Sequence, residues 1–339
     1  VRWSEVVDEP GRLFDLPDRE VGTAEFRGLT FHHVRTKRLI NTLPPSSRMA
    51  SMFRHTINAY RGCSHSCSYC FARPTHDYLG FDMDEDFDRE IVVKVNAVER
   101  LQAELHPKRW PGEAIAMGTN TDPYQRAEGK YRLTRGIIEV LSAARNPFSI
   151  LTKSTLVVGD AELLGEASRR TDVSVSFSIG TLDEDVWRAT EPGTPHPRQR
   201  VAAIAKLRAA GVRAGVLVAP ILPGLSDDPK QIEAVVAACS EAGATSIGGG
   251  MLLRLGPGVR EVYLRRLRVT HPELAERTEA TYRAGNAPKA LRERVAHDFA
   301  RALDRHPSAV SAPRRAWRPT TPSAPPSPKP PAEQLGLAL

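Results

Sequence analysis

Asn58-Ala59-Tyr60-Arg61-Gly62-Cys63-Ser64-His65-Ser66-Cys67-Ser68-Tyr69-Cys70-Phe71-Ala72-Arg73 carries three of the four cysteines of the chain, spaced C-x3-C-x2-C. Thiolates suit iron–sulfur clusters, zinc and copper(I), so three of them on one short loop can converge on a soft metal centre. Structural zinc calls for a fourth close Cys or His. The remaining cysteine, Cys239, lies far beyond Cys70, and His65 is hemmed in by the cysteines that flank it. A four-iron cubane held by three cysteines keeps one iron open to a co-substrate. The spacing therefore favours a reactive cluster over a structural one, with structural zinc and a chance group of buried thiols as the weaker readings.

The 339 residues suffice for one large barrel or two smaller domains. With 41% hydrophobic and 26% charged residues the chain reads as soluble and globular. No run approaches the roughly 18 apolar residues of a membrane span. Val1-Arg2-Trp3-Ser4-Glu5 has no apolar signal core, so a cytoplasmic location is expected, in keeping with reduced cysteines. A net charge of +7 suits a polyanionic partner. Part of that excess, Arg314, Arg315, Arg318 and Lys329 against Glu333, sits near the C-terminus.

From Thr56 onward short apolar runs alternate with amphipathic helical patterns, the sign of a parallel α/β architecture. One strand leads into the cysteine loop. Ala114–Gly118, Phe148–Lys153, Val173–Ile179, Arg213–Ala219 and Ser246–Leu253 follow as strands two to six, and Ile91–Val95 reads as a further strand piece. Asn96, Thr134 and Asp160 are expected to cap helices. Gly211 and Gly243 are expected to stop two others. In Val173–Ile179 the period of two puts Val173, Val175, Phe177 and Ile179 on one face and Ser174, Ser176 and Ser178 on the other. The apolar face should meet the helices and the serines an interior polar enough for a ligand. A closed eight-stranded barrel fills its interior with branched apolar side chains, so an open partial barrel fits better. The expected organisation is an N-terminal extension (1–55) lying across the barrel mouth, a partial (β/α)6 barrel (56–256), and a C-terminal helical cap (257–306) with helices near 257–269, 273–284 and 287–304. A disordered, basic, proline-rich tail (307–339) follows, since nine of the 27 prolines fall from Pro307 to Pro331.

Cys63-x3-Cys67-x-Tyr69-Cys70 resembles the signature of the radical S-adenosylmethionine (SAM) superfamily. Asn58–Gly62 upstream and Phe71-Ala72-Arg73 downstream resemble its spore-photoproduct-lyase-like branch, and the likeness runs from about Phe26 to about Gly258. The resemblance implies a 4Fe–4S cluster on Cys63, Cys67 and Cys70, with the fourth iron chelating the amino acid end of SAM and Tyr69 beside the adenine. It implies reductive cleavage of SAM to a 5′-deoxyadenosyl radical that abstracts a substrate hydrogen, with an electron donor of flavodoxin or ferredoxin type. The cofactors supply this chemistry while the protein supplies position and exclusion of water.

Active residues of such barrels lie at the C-terminal ends of the strands. The family often places Gly-Gly-Glu-Pro after strand two, where it holds the SAM amino group. Here Gly118-Thr119 is followed by Asn120, Thr121 and Asp122, so that role falls to Gly118, Thr119 or Asp122. Lys153 with Ser154, Ser176 with Ser178, and Pro220–Gly224 are placed to contact carboxylate, ribose and adenine respectively. In the lyase that names the branch, a cysteine shortly after strand two returns a hydrogen atom to the repaired base. Met117–Gln125 has none, so the known route is disfavoured and Tyr124 is the candidate hydrogen donor. Cys239, in Glu233–Cys239, reads as a packed helix face.

The expected activity is therefore radical SAM chemistry of the lyase or repair type, with a DNA lesion as substrate. RNA, a peptide or a metabolite is the alternative substrate. The alternative of another class is a non-enzymatic metal-binding protein associated with DNA. The segment Gln334-Leu335-Gly336-Leu337-Ala338-Leu339 resembles the Gln-Leu-x-Leu-x-Leu motif that docks on the bacterial sliding clamp, through Gln334, Leu335, Leu337 and Leu339.

Overall fold

The computed structural model describes residues 18–47, 50, 52–282 and 285–308. Three strands, β1 (Arg19–Val21), β2 (Thr30–Val34) and β3 (Ile40–Thr42), precede β4 (His55–Ile57) and β5 (Tyr60–Arg61), which lead into the cysteine loop. After it come α1 (Glu85–Arg89), β6 (Glu90–Lys94) and α2 (Ala97–Glu104). The alternation continues with β7 (Ile115–Met117), α3 (Glu128–Tyr131), α4 (Leu133–Ala143), β8 (Phe148–Thr152) and α5 (Ala161–Arg170). Next are β9 (Val173–Ser178), α6 (Glu184–Thr190), α7 (Pro197–Ala209), β10 (Arg213–Val218), α8 (Pro229–Glu241) and β11 (Ile247–Gly249). Three helices, α9 (Val259–Thr270), α10 (Pro272–Thr281) and α11 (Lys289–Arg305), end the described chain.

Parallel strands cannot be joined by tight turns and need crossovers, which the intervening helices supply. The result is a seven-stranded sheet in the order β11-β10-β9-β8-β7-β4-β3. Six of its strands are parallel, and β3 adds to the edge antiparallel to β4. The alternation expected of β9 is realised. Val173, Val175 and Phe177 are buried in the helix-side core, while Ser174 and Ser176 remain partly exposed on the other face. Leu151 and Gly215 flank Ser176 in register on the neighbouring strands. On β9 and β10 the face that a closed barrel would fill with branched side chains thus carries Ser174, Ser176 and Gly215, which suits an open partial barrel. Among the described residues no helix is long and apolar enough to cross a membrane.

The described part of the N-terminal segment is paired into both sheets. β1 and β2 join β6 and β5 in a second, four-stranded sheet, and β3 extends the barrel sheet. Three caps also differ from expectation. Asn96 precedes α2 but spends its side chain on Thr36, accepting from its N–H (2.8 Å) and donating to its carbonyl (3.1 Å). Thr134 lies inside α4, its hydroxyl on the Pro123 carbonyl, and the Glu128 carboxylate accepts the Thr134 and Arg135 N–H groups in its place. Asp160 stands at the start of α5 without capping it, because it takes Tyr124 and Arg135 instead. The last barrel strand is shorter than expected, since the chain turns at Gly249 and Gly250, both at positive φ.

The C-terminal helices divide between two places. Val295, Phe299 and Ala302 of α11 join the main core, and Arg305 pairs with Glu233 of α8 at 2.6 Å. Val259, Tyr263 and Leu267 of α9, with Leu274 and Ala275 of α10, form a second apolar cluster that includes Cys67 and Tyr69. Each fully buried side chain of this kind contributes roughly 1.5–3 kcal/mol. The expected cap therefore rests in part directly on the cysteine loop.

Candidate active site

The cysteine loop leaves β5 at Gly62 and is held from the side by the segment after β7. The Gly62 carbonyl accepts from the Thr121 hydroxyl (2.6 Å) and from Gln125 Nε2 (3.0 Å). Gln125 Oε1 accepts the Ser64 N–H (3.0 Å), and the Ser64 hydroxyl accepts the Arg126 N–H (3.2 Å). From the other side the turn after α6 closes in. Thr190 accepts the Ser68 N–H at 2.9 Å, and Gly193 donates to the His65 carbonyl at 3.1 Å. A Cβ at Gly193 would stand 2.2 Å from the Ser64 carbonyl oxygen, so only glycine permits this approach.

Cys63 and Cys67 are buried, Cys70 is partly exposed, and all three are free thiols. Burial pushes each thiol up, and for Cys63 the Asp122 carboxylate and the other two cysteines push further. Lys153 pulls Cys67 the other way. Thiols so placed become thiolates when a cation compensates them, which is what a metal centre does. Among the described residues no three His, Cys, Asp or Glu side chains surround a single ion. A cubane takes each cysteine on a different iron and needs no such convergence. The Ser68 hydroxyl, buried between Cys67 and Cys70 in the chain, lacks a protein partner. The three cysteines thus fit an iron–sulfur cluster better than zinc.

Beside the loop a polar group gathers at the C-terminal ends of β8 and β9. Lys153 Nζ donates to the Ser178 hydroxyl (2.5 Å), lies 3.8 Å from Glu191 Oε1 and stands 5.7 Å from the centre of the Tyr69 ring. The Tyr69 hydroxyl donates to Glu191. Arg200, itself fully buried, donates from Nη2 to Glu191 (2.5 Å) and from Nη1 to the Ser178 carbonyl (3.0 Å). Burial alone would raise the Glu191 carboxyl, but Arg200, Lys153 and Tyr69 together bring it down to about 2. It is a fixed anion between two cations.

Tyr69, Lys153 and Ser178, named from the sequence, are therefore brought together. Ser176 lies one register level lower on the polar face of β9. Leu222 and Leu225, within and just past the predicted Pro220–Gly224 contact, pack with Tyr69. The Asn58 side-chain amide donates to the Thr119 hydroxyl at 3.3 Å. Gly118 has φ +86, and a Cβ there would collide with the Leu151 carbonyl oxygen. Both oxygens of Asp122 are engaged by the protein: Oδ1 accepts the Tyr124 N–H and the Thr152 hydroxyl, and Oδ2 the Lys153 N–H. Burial would raise its carboxyl, but His65, the Lys153 N–H and Thr152 hold it below the usual range. Tyr124 belongs to the main core and donates its hydroxyl to Asp160 at 3.0 Å. Cys239 is fully buried on α8, its thiol pushed up to about 12 by burial.

Sequence reasoning missed Glu191, Arg200 and Gln125. Arg200 looks like any helix arginine, and Glu191 follows α6 in Thr190-Glu191-Pro192-Gly193-Thr194 with no spacing that points to the cysteines. Only the long-range packing of α7, the turn before it and the segment after β7 around the cysteine loop brings them in.

A family model described as the Radical SAM superfamily matches residues 57–236. The chain belongs to the radical SAM superfamily. It is a radical SAM enzyme, and its cofactors are a 4Fe–4S cluster and SAM. Uncharacterised proteins of Mycobacterium tuberculosis and Mycobacterium bovis are each 44% identical over 283 residues, covering 82% of this chain and 82% of theirs. One from Acidianus two-tailed virus is 30% identical over 207 residues, 59% of this chain and 67% of the viral one. Among solved structures, spore photoproduct lyase complexed with dinucleoside spore photoproduct superposes with a TM-score of 0.59 at 20% identity, over 83% of this chain and 80% of that one. A mutant of that lyase with bound AdoMet and the dinucleoside gives the same TM-score and identity over 82% and 79%. At that identity the likeness is one of fold, and the radical SAM barrel is the fold it shows.

Proposed function

We propose that this radical SAM enzyme repairs a DNA lesion, with Cys63, Cys67 and Cys70 holding the cluster. The observation that carries the site assignment is the convergence of Tyr69, Lys153, Ser178 and Glu191 beside the cysteine loop, at the strand ends where such barrels work. When bound, the cluster and SAM supply reductive C–S cleavage and a hydrogen-abstracting radical. The chain's own work is positional. Lys153 offers an ammonium to the SAM carboxylate, with Glu191 and Ser178 fixing where that ammonium stands. Tyr69, anchored by Glu191, presents its ring to the adenine, and Ser176 and Ser178 offer hydroxyls to the ribose. Gly118, Thr119 and Asp122 line the amino-group side, where both carboxylate oxygens of Asp122 are already engaged by the protein. Helices α9 and α10 exclude water by packing on the loop.

The DNA reading is supported by the fold shared with spore photoproduct lyase, whose structures carry a dinucleoside photoproduct, and by the net charge of +7. Residues 117–125 hold no cysteine, so the returning hydrogen comes by another route, with Tyr124 as the candidate donor. The reading includes an electron donor of flavodoxin or ferredoxin type, a cytoplasmic site of action, and docking on a sliding clamp through Gln334, Leu335, Leu337 and Leu339. Those four residues lie outside the described ones. The deciding experiment supplies reconstituted enzyme with deuterated damaged oligonucleotides. Deuterium should appear in 5′-deoxyadenosine. Transfer from RNA, peptide or metabolite substrates, and none from DNA, would move the enzyme to another substrate class.

A further inference from the structure

The outer side of the cysteine loop is gripped by two guanidinium groups from distant parts of the chain. Arg73 is fully buried and donates to the Cys67 carbonyl from Nε (3.2 Å) and Nη2 (2.9 Å), while Nη2 also reaches Asp88 Oδ1 at 2.9 Å. Arg266, on α9, donates from Nη1 to the Ser66 carbonyl (3.0 Å) and hydroxyl (3.1 Å). Its Nη2 reaches Asp88 Oδ2 at 2.7 Å and its Nε reaches Asp84 at 2.8 Å. Asp88 thus bridges the two arginines, and it also accepts the Ser66 hydroxyl at 2.7 Å.

What they hold is a strained turn. Ser66 has φ +53, in the left-handed region, which is unfavourable for a residue with a Cβ. Such a conformation persists where the surroundings over-determine it. Ser66 lies between Cys63 and Cys67, so this turn sets how those two thiols stand to each other. Arg266 lies outside residues 57–236, the part that the family model matches. The rest of α9 packs on Cys67 and Tyr69 through Tyr263 and Leu267.

We propose that Arg266 is a positioning residue for the cluster: α9 clasps the cysteine loop through it and so sets cluster retention and potential. The proposal rests on the assignment of the cluster to Cys63, Cys67 and Cys70. A planar guanidinium can serve a carbonyl, a hydroxyl and two carboxylates at once, which a lysine ammonium cannot. Its charge also favours the more negative, reduced cluster, because net charge and hydrogen bonding set such potentials.

The test uses the full chain, reconstituted anaerobically, as wild type, Arg266→Gln, Arg266→Lys and Arg268→Gln. Arg268 is an exposed control on the same helix, paired with Glu279. Iron retention under chelator challenge, midpoint potential and the SAM-induced change in the cluster's EPR spectrum are read beside circular dichroism. Arg266→Gln should shorten cluster lifetime about tenfold, the low end for residues that orient metal ligands, and lower the potential. Arg266→Lys should restore the potential but not the lifetime, and Arg268→Gln should alter neither. If Arg266→Gln does not fold, the lifetime in Arg266→Lys decides. Wild-type lifetime in that variant, or an equal loss in Arg268→Gln, overturns the clasp while leaving the cluster assignment standing. A wild-type chain that takes up no cluster overturns both.

Discussion

Cys63, Cys67 and Cys70 share one loop, whereas Cys239 is sealed inside the contact of α8 with the main core. Replacing any of the first three by Ala should abolish the visible absorption of the cluster and SAM cleavage, and Cys239→Ala should leave both. Loss of the cluster in Cys239→Ala would defeat the open-iron reading. Tyr124 offers a second single-residue test. Tyr124→Phe removes the hydroxyl from Asp160 and should cost about 1.5–3 kcal/mol of stability, the usual worth of a hydrogen bond to a charged group. Unchanged SAM cleavage with lost product would keep Tyr124 as hydrogen donor, and full product formation would remove it. Lys94 adds a pH signature. Its ammonium donates to the Asn58 carbonyl at 2.7 Å, yet burial, with Arg61 adding repulsion, brings its pKa from 10.5 down to about 8. Between those values the unfolded chain binds more protons than the folded one, so stability gains from rising pH there. Relative to Lys94→Met, the wild type should become more urea-resistant between pH 8 and pH 10, and parallel curves would disprove the shift.

At the scale of elements, the strands were legible because period and length agree. Val173–Ser178 alternates without a break, and β7, β8 and β10 are apolar runs bounded by turn residues. The caps were less legible, because Asn96 and Thr134 have the right chemistry at the right place but are claimed by partners 60 and 11 residues away. β3 and the second sheet escaped for a similar reason: the antiparallel pairing of β3 with β4 and the parallel pairing of β2 with β6 are long-range choices with no local mark. The site divides along the same line. The cysteines and Lys153 announce themselves by spacing or by position at a strand end, while Glu191 enters only because the turn between α6 and α7 crosses the cysteine loop. That turn can be tested. Glu191→Gln leaves Arg200 buried without its anion, a change that costs roughly 3–5 kcal/mol for such pairs, and frees the Tyr69 hydroxyl. Both the urea midpoint and SAM affinity should fall with iron content maintained, and unchanged SAM affinity would place Glu191 outside the cofactor site.

For the whole molecule, the described body closes on itself before the proline-rich stretch. Arg305 and His306 both reach Glu233, and the Ser240 hydroxyl donates to the Pro307 carbonyl at 2.7 Å, tying the end of α11 to α8. A chain cut after Ser308 should therefore keep its cluster, its SAM cleavage and its melting temperature. What it should lose is association with the clamp. A proline-rich tether of this length would hold the barrel near a clamp-bound DNA site at an effective concentration of about millimolar, which speeds encounter without altering chemistry. A peptide of residues 328–339 should bind purified clamp with micromolar affinity, and Gln334→Ala combined with Leu337→Ala should abolish it. Clamp-dependent stimulation of lesion processing should then vanish in both the double variant and the truncated chain, with SAM cleavage equal in all three. A peptide that fails to bind at high concentration would end the clamp reading and leave the DNA assignment resting on fold and charge.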